Sequence, residues 1–343
     1  MKAIVQERYG SADVLELKEI DRPTIGDDDL LVKVEAAGLD PGVWHLMTGL
    51  PYLLRLALGL RAPRVPVRGR DVAGVVEVVG RNVRDFRPGD KVFGTSDRGT
   101  FAEYTAAPAQ RFAPMPTNLS FEQAAAVPVS ACTALQGLRD SGQIQPGQKV
   151  LVIGAAGGVG TYAVQLAKDV GAEVTGVCST TKVDLVRSIG ADHVIDYTQA
   201  DFADGEHRYD LVLDTAGNRS LAHLRRALTP HGTLVIVGGE EGGVWTQGVG
   251  RSLRALMLSP FIGPNLRGVF GTQPASDLRH LTELIETGRL TPIINRVYSL
   301  SESPNACDRW KPSTPAGRSS SACDVRTGRT VHQERFKRST SQR

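Results

Sequence analysis

At 343 residues the chain is too long for one hydrophobic core, so two domains are expected. With 41% hydrophobic and 22% charged residues it has the make-up of an ordinary folded protein, not a disordered or fibrous one. The net charge of +3 belongs to the end of the chain: residues 305–343 hold nine Lys or Arg against three Asp or Glu, and the body before them is net acidic, which gives no reason to expect nucleic acid as a partner.

The opening residues Met1–Gln6 carry no basic stretch followed by an apolar run, and no segment is apolar for long enough to span a bilayer. Four scattered cysteines (Cys132, Cys178, Cys307 and Cys323) exclude a disulfide framework and a CxxC-type zinc lobe, so a reduced, cytoplasmic setting is expected. Leu30–Gly38 reads as a strand ending at a turn, Asp71–Gly80 as a second, and Arg87–Gly94 as a turn feeding a third. Short, turn-punctuated strands predict a compact β-rich domain over residues 1–124. Within it, Pro51–Leu60 is unusually apolar, which suits a lid over a cleft, a membrane-surface helix, or a core or dimer-contact helix.

After Pro128 the texture changes. Lys149–Gly154 is a continuous apolar strand of the kind buried on both faces of a parallel sheet. A helical pattern at Tyr162–Val170 follows, then strand Glu173–Cys178, helix Lys182–Ile189, strand Asp192–Tyr197, strand Tyr209–Asp214, helix Leu221–Leu228 and strand Gly232–Gly238. This alternation predicts a doubly wound α/β domain of the Rossmann type over 125–265. Residues 266–306 are read as a return to the first domain, with Leu278–Thr287 a helix and Ile293–Leu300 a strand. From 307 to 343 the periodicity stops, and a disordered or frameshifted tail is expected.

The chemistry starts at Ala155-Ala156-Gly157-Gly158-Val159-Gly160, between a predicted strand and a predicted helix. Small residues there let a pyrophosphate approach the backbone at a helix N-terminus, with Ala155 standing where the usual fingerprint has its first glycine. The end of the second strand reads Cys178-Ser179-Thr180-Thr181-Lys182, without the Asp or Glu that binds ribose hydroxyls in NAD enzymes. Ser179, Thr180 and Lys182 suit a 2′-phosphate, so NADPH is expected in preference to NADH. Cys178 is read as a buried strand residue, not a redox thiol.

With these pieces the chain resembles the medium-chain dehydrogenase/reductase superfamily, in its zinc-independent, quinone-oxidoreductase-like branch. The resemblance is carried by Gly38-Leu39-Asp40-Pro41, Gly69–Val76, Arg87–Val92, Gly99–Tyr104, Thr133-Ala134-Leu135, the glycine loop with Ala163–Ala167, and Gly190–Ile195, and it covers residues 1 to about 306. It implies a GroES-like β-rich catalytic domain, a Rossmann nucleotide domain and a cleft between them. It also implies cofactor contacts at Thr133, Tyr197, Thr215, Val237, Gly238 and Phe270.

Zinc-dependent relatives carry a Cys after the first strand and Gly-His-Glu before the second. Here those places read Gly38-Leu39-Asp40 and Gly69-Arg70-Asp71, so no zinc is expected, and Asp40, His45 and Asp71 match no tetrahedral site. Without a metal, a quinone or α,β-unsaturated carbonyl is easier to reduce than a simple ketone, because its charge delocalises onto an oxygen that needs only a hydrogen-bond donor. Tyr52 is the candidate donor, or else an apolar anchor. Asp40, where relatives often carry Asn, orients substrate or caps the next turn, and Trp44 lines the cleft or packs in the core. The expected protein is a homodimeric NADPH-dependent oxidoreductase acting on a small hydrophobic carbonyl or quinone. The alternatives are an NADP-dependent alcohol dehydrogenase and a catalytically weak NADPH-binding sensor or structural protein.

Relatives end in a helix, a Gly-Lys turn and a closing strand, whereas this chain departs from that pattern at Cys307. The codons permitted by Cys307–Val325, read one base earlier, allow a segment ending Gly-Lys-Val-Val-Ile-Ser-Val and a stop. The gene's nucleotides are therefore expected to spell that ending in the shifted frame. Codons that cannot do so, read directly by sequencing, reject the frameshift.

Overall fold

The computed structural model describes residues 1–238, 255, 263–269, 271–309 and 322–326. In the first domain β1 (Lys2–Val5) pairs antiparallel with β2 (Glu16–Glu19). The larger sheet is built from β3 (Asp29–Leu39), β4 (Asp71–Val79), β5 (Lys91–Thr95), β6 (Tyr104–Pro108) and β7 (Phe112–Pro114), in the order β3-β4-β5-β7 with β6 also on β3. Leu30, Val32 and Val34 alternate inward along β3 and meet Val72, Val76, Val92 and Phe112 in one apolar cluster. Between β3 and β4 lie α1 (Pro41–Thr48) and the short α2 (Arg55–Leu58).

The second domain opens with α3 (Phe121–Ala125) and α4 (Pro128–Gln136). Its sheet contains β8 (Lys149–Ile153), β9 (Glu173–Cys178), β10 (His193–Asp196), β11 (Tyr209–Asp214), β12 (Leu228–Ile236) and β13 (Asn265–Gly268). They run parallel in the order β10-β9-β8-β11-β12-β13, with α5 (Gly158–Val170), α6 (Val183–Ser188) and α7 (Leu221–Arg226) among the connections. The winding reverses between β8 and β11, and in doubly wound sheets ligands lie in the crevice at the carboxyl ends of the strands at such a point.

Period-two alternation explains why β8 is apolar throughout. Val150 and Val152 pack with Ala163, Val164 and Ala167 of α5, while Leu151 and Ile153 face the opposite cluster with Phe202 and Leu224. The fold class expected from the sequence is the one observed: a β-rich domain beside a doubly wound parallel sheet. No helix among the described residues is long and apolar enough to cross a membrane.

The end of the chain differs from expectation in three places. Residues 265–268 add the sixth parallel strand, with Leu266 buried in that domain's core, so the chain has not yet returned to the first sheet. Helix α8 (Ala275–Glu286) lays Leu278, Leu281 and Leu284 into the cluster of α4 and α5, and the first sheet is rejoined only at β14 (Ile294–Ser299). Past 306, α9 (Ser303–Arg309) continues to 309, and β15 (Ala322–Arg326) pairs antiparallel with β3 and parallel with β14. The edge of β3 offers backbone hydrogen bonds that require no side-chain periodicity, so a segment without a readable pattern still adds a strand.

Tyr162, 1% exposed, donates its phenol to the Ala126 carbonyl at 3.1 Å and ties α5 to the end of α3. Removing that oxygen with Tyr162→Phe leaves a buried carbonyl without its partner. The expected cost is about 1–2 kcal/mol in urea denaturation, without loss of the fold.

Candidate functional site

The crevice is built around the turn from β8 to α5. Gly154 takes a left-handed conformation with φ 82°, and a Cβ there would sit 2.6 Å from Thr215 Oγ1. The tight turn thus falls on Gly154, one residue before the Ala155 at which the sequence places it, because that φ is costly for any residue with a side chain. The Gly154 and Ala155 amides both donate to the Val177 carbonyl at 3.1 and 3.0 Å, and Gly157 N donates back to Gly154 O at 2.9 Å. Gly157 is the extended N-cap of α5, and the first bond within the helix runs from Thr161 N to Gly157 O. The amides of Gly158, Val159 and Gly160 precede that bond and face the helix N-terminus as donors. A Cβ on Gly160 would lie 2.1 Å from the Gly154 carbonyl, so glycine alone lets the helix approach the strand this closely. Ala155 and Ala156 are buried, and Gly157, Gly158 and Val159 are half-buried at the crevice.

The neighbouring strand ends converge on this turn. Thr215 Oγ1 donates to Ile153 O at 2.8 Å, Val237 N donates to Asp214 O at 3.0 Å, and Gly238 lies against the Thr215 carbonyl. Thr133, which donates its hydroxyl to Val129 O at 2.6 Å, approaches Gly271 beyond β13. Five of the residues expected to touch the cofactor from strand ends or α4 (Thr133, Ala155, Thr215, Val237 and Gly238) therefore line one edge of the sheet. Phe270 lies outside the described residues.

At the end of β9, Ser179 and Lys182 are half-buried and Thr180 is exposed. Here the structure supplies an acid that the end of β9 lacks: Asp196, at the end of the adjacent β10, accepts from Thr198 N at 3.0 Å and Thr198 Oγ1 at 2.8 Å. Its carboxyl is held below the usual carboxylate range, first by the Thr180 hydroxyl and then by Thr198. Tyr197 follows, 44% exposed. Cys178 is buried, and burial pushes its thiol up to about 11, in keeping with a strand residue and not a redox thiol.

The facing wall comes from the first domain. Asp40 is the N-cap of α1: Oδ1 accepts from Gly42 N, while the buried Oδ2 has no hydrogen-bond partner. Burial raises the Asp40 pKa, opposed by the Arg70 guanidinium. Trp44 meets His45 edge-on, with ring centroids 5.2 Å apart. His45 Nδ1 is paired with Leu50 O at 2.8 Å, and burial lowers its pKa. Tyr52 stacks under Arg55, whose guanidinium lies 4.6 Å from its ring centroid and 4.4 Å from that of Tyr9. Leu53, Leu56 and Leu60 are 47%, 66% and 68% exposed, which removes the core-helix reading of 51–60.

Among the described residues, Asp40, His45 and Asp71 are not brought together as a group able to share one ion. Asp40 Oδ1 serves α1, His45 Nδ1 serves Leu50, and Asp71 Oδ1 accepts from Val129 N at 3.1 Å across the domain boundary. Among the described residues, the acid and imidazole groups close enough to share an ion are Asp204, Glu206 and His207, all exposed and on a surface turn. Sequence reading missed three residues at the crevice rim: Gln136, Gln273 and Arg70. Arg70 Nη2 reaches Gln273 Oε1 at 3.5 Å from the other domain. Gln136 follows the apolar stretch Ala134-Leu135, a weak local signal, whereas Gln273 sits between Thr272 and Pro274 and carries none.

The alcohol dehydrogenase GroES-like domain family matches residues 26–117, and the zinc-binding dehydrogenase family matches residues 189–317. The chain is 35% identical over 316 residues to a 2-methylene-furan-3-one reductase of Solanum lycopersicum, covering 85% of this chain and 77% of that protein. It is 41% identical over 229 residues to an Arabidopsis thaliana chloroplastic NADPH-dependent alkenal/one oxidoreductase, covering 63% and 58%. The solved quinone oxidoreductase from Coxiella burnetii superposes with a TM-score of 0.83 at 26% identity, over 96% of this chain and 99% of that one.

Gly160→Ala introduces a methyl group where 2.1 Å is available and pushes α5 away from β8. Dinucleotide binding, followed by NADPH fluorescence titration, is expected to weaken at least about tenfold, roughly 1.4 kcal/mol. Circular dichroism checks that the chain remains folded.

Proposed function

We propose, for a chain that belongs to the medium-chain dehydrogenase/reductase superfamily in its quinone-oxidoreductase-like branch, an NADPH-dependent, metal-independent reduction of quinones or α,β-unsaturated carbonyls. The observation that carries this reading is the Gly154–Gly160 turn: it lies at the switch point of the sheet, with three helix amides facing outward and no room for a side chain at Gly160. The relatives' names, an alkenal/one oxidoreductase and a furanone reductase, support the choice of acceptor.

When bound, the reduced nicotinamide supplies a hydride to an electron-poor carbon of the acceptor. The protein's share is to hold the pyrophosphate on the Gly158–Gly160 amides and the adenosine end beside Ser179, Thr180 and Lys182. Lys182 favours a 2′-phosphate by charge, whereas the ionised Asp196 beside Thr180 opposes it, so the phosphate is assigned to the Ser179–Lys182 side. Charge developing on the acceptor oxygen requires a donor, and Tyr52 is assigned that role under the Arg55 guanidinium. The free Oδ2 of Asp40 is assigned to orienting the substrate, and Trp44 to lining the cleft. A reducing setting fits the buried free thiols Cys132, Cys178 and Cys307 among the described residues, and a cytoplasmic homodimer is the proposed form.

The decisive measurement is NADPH oxidation by protein stripped of metal, with phenanthrenequinone and simple enones as acceptors. Turnover unaffected by chelator is expected. Zinc near one per chain with chelator-sensitive alcohol oxidation would favour the alcohol dehydrogenase, and tight NADPH binding without oxidation would favour a sensor. Lys182→Glu is expected to raise the Kd for NADPH about tenfold or more and leave NADH binding near its starting value.

A further inference from the structure

Segment 271–273 follows β13 at the carboxyl edge of the sheet and is held from three sides. A Cβ on Gly271 would lie 2.8 Å from Thr133 Oγ1, so this backbone passes directly over α4. One turn further along α4, Gln136 grips Thr272 with both ends of its amide: Nε2 donates to Thr272 O at 2.8 Å, and Thr272 N donates to Gln136 Oε1 at 3.0 Å. The same Nε2 donates to Asp277 Oδ2 at 2.7 Å, and Asp277 is held by Arg139 Nη1 at 2.8 Å. From the opposite domain Arg70 reaches Gln273.

Gln136, Gln273 and Asp277 are 8%, 4% and 6% exposed. Buried polar side chains add little net stability compared with a well-packed apolar core, so the joined pair Gln136 and Asp277, with Gln273 buried beside the same loop, calls for a reason other than stability. Thr272 itself is exposed, so its own burial does not hold its backbone in place. The two-pronged contact reproduces a β-ladder pair and fixes the height of the 271–273 backbone over Thr133. Gly137, next to Gln136, packs on Leu213, Val237 and Val269, so the helix that carries the clamp is itself anchored over the ends of β11, β12 and β13.

We propose that Gln136 is a positioning residue for hydride transfer: its amide holds the Thr272 backbone, and so sets the wall against which the reduced ring is pressed toward the acceptor. The proposal rests on the nicotinamide-dependent reading above. It assigns Gln136 no contact with substrate or cofactor. The residue acts through segment 271–273, and misplacement of a reacting group by 1 Å is enough to cost on the order of 100-fold in rate.

The test compares wild type with Gln136→Met, which keeps the length and loses both hydrogen bonds to Thr272 together with the one to Asp277, and with the smaller change Gln136→Asn, which keeps the amide and falls short of Thr272. Single-turnover NADPH oxidation is expected to slow about 10- to 100-fold while the NADPH Kd stays within about threefold, and the isotope effect from 4-deuterated NADPH on kcat is expected to rise as hydride transfer becomes limiting. In the cofactor-free wild-type protein, hydrogen exchange should show the Thr272 amide protected despite its exposed side chain. An unprotected Thr272 amide overturns the proposal even where neither variant folds. An unchanged rate, or a Kd that rises as far as the rate falls, overturns it as well. Wild type that oxidises no NADPH with any acceptor instead rejects the functional reading, a result distinguishable because amide protection is measured without turnover.

Discussion

Only a hydrogen atom fits between the Gly160 Cα and the Gly154 carbonyl, and the rest of the cofactor face is set by that approach. Because α5 meets β8 at this distance, its free N-terminal amides reach the carboxyl edge of the sheet instead of stopping above it. The contact is reinforced from both sides. Val177 O takes the Gly154 and Ala155 amides, and Tyr162 anchors the next turn of the helix to Ala126. Small residues on the inner face of α5, Ala163 and Ala167, keep the rest of the helix equally close to the sheet. A bulkier residue at any of these points tilts the helix and withdraws three donors together.

What sequence alone made legible was local. The Val150–Ile153 run, the glycines after it and the Ala-rich helix each carry their period or conformational requirement within a few residues, so the strand–turn–helix unit could be read directly. Placing the turn on Ala155 instead of Gly154 shows the limit of counting glycines, since spacing does not reveal which residue takes the positive φ. Features that depend on distant partners left no such trace. Asp196 meets Thr180 only because β10 lies beside β9 in the sheet. Gln136 and Thr272 are separated by 136 positions, and Arg70 and Gln273 by 203. Reading Cys178–Lys182 as free of acid was correct for the end of β9 and incomplete for its surroundings, because the neighbouring strand brings Asp196 beside Thr180.

The first domain resolves one ambiguity and sharpens another. Arg55 spends its charge inside the protein, over Tyr9 and Tyr52 and on the Thr48 and Gly49 carbonyls, so the apolar leucines of 53–60 are displayed outward without an arginine face of their own making. Asp40 was read as either substrate-orienting or capping, and the structure shows the cap. One caps α1 and the other remains uncommitted. An asparagine caps equally well, so capping does not account for an acid at this position. Burial shifts the Asp40 carboxyl toward its protonated form, in which the uncommitted oxygen is able to donate as well as accept.

The two ends of the crevice are therefore built on different physical terms. Around Thr180, Asp196 and Tyr197, the end proposed for the adenosine, the surface is exposed or half-buried and charges act through solvent, where they discriminate between ligands more than they hold them. Around Asp40, Gln136 and Gln273, at the end proposed for catalysis, the polar groups are buried, and there a misplaced dipole is costly and a well-placed one costs no reorganisation. An apolar core at those three positions would satisfy packing equally well. It would leave the loop beyond β13 without the Gln136 clamp and the start of α1 without its Asp40 cap, and the distance between reacting groups is what hydride transfer requires of the protein.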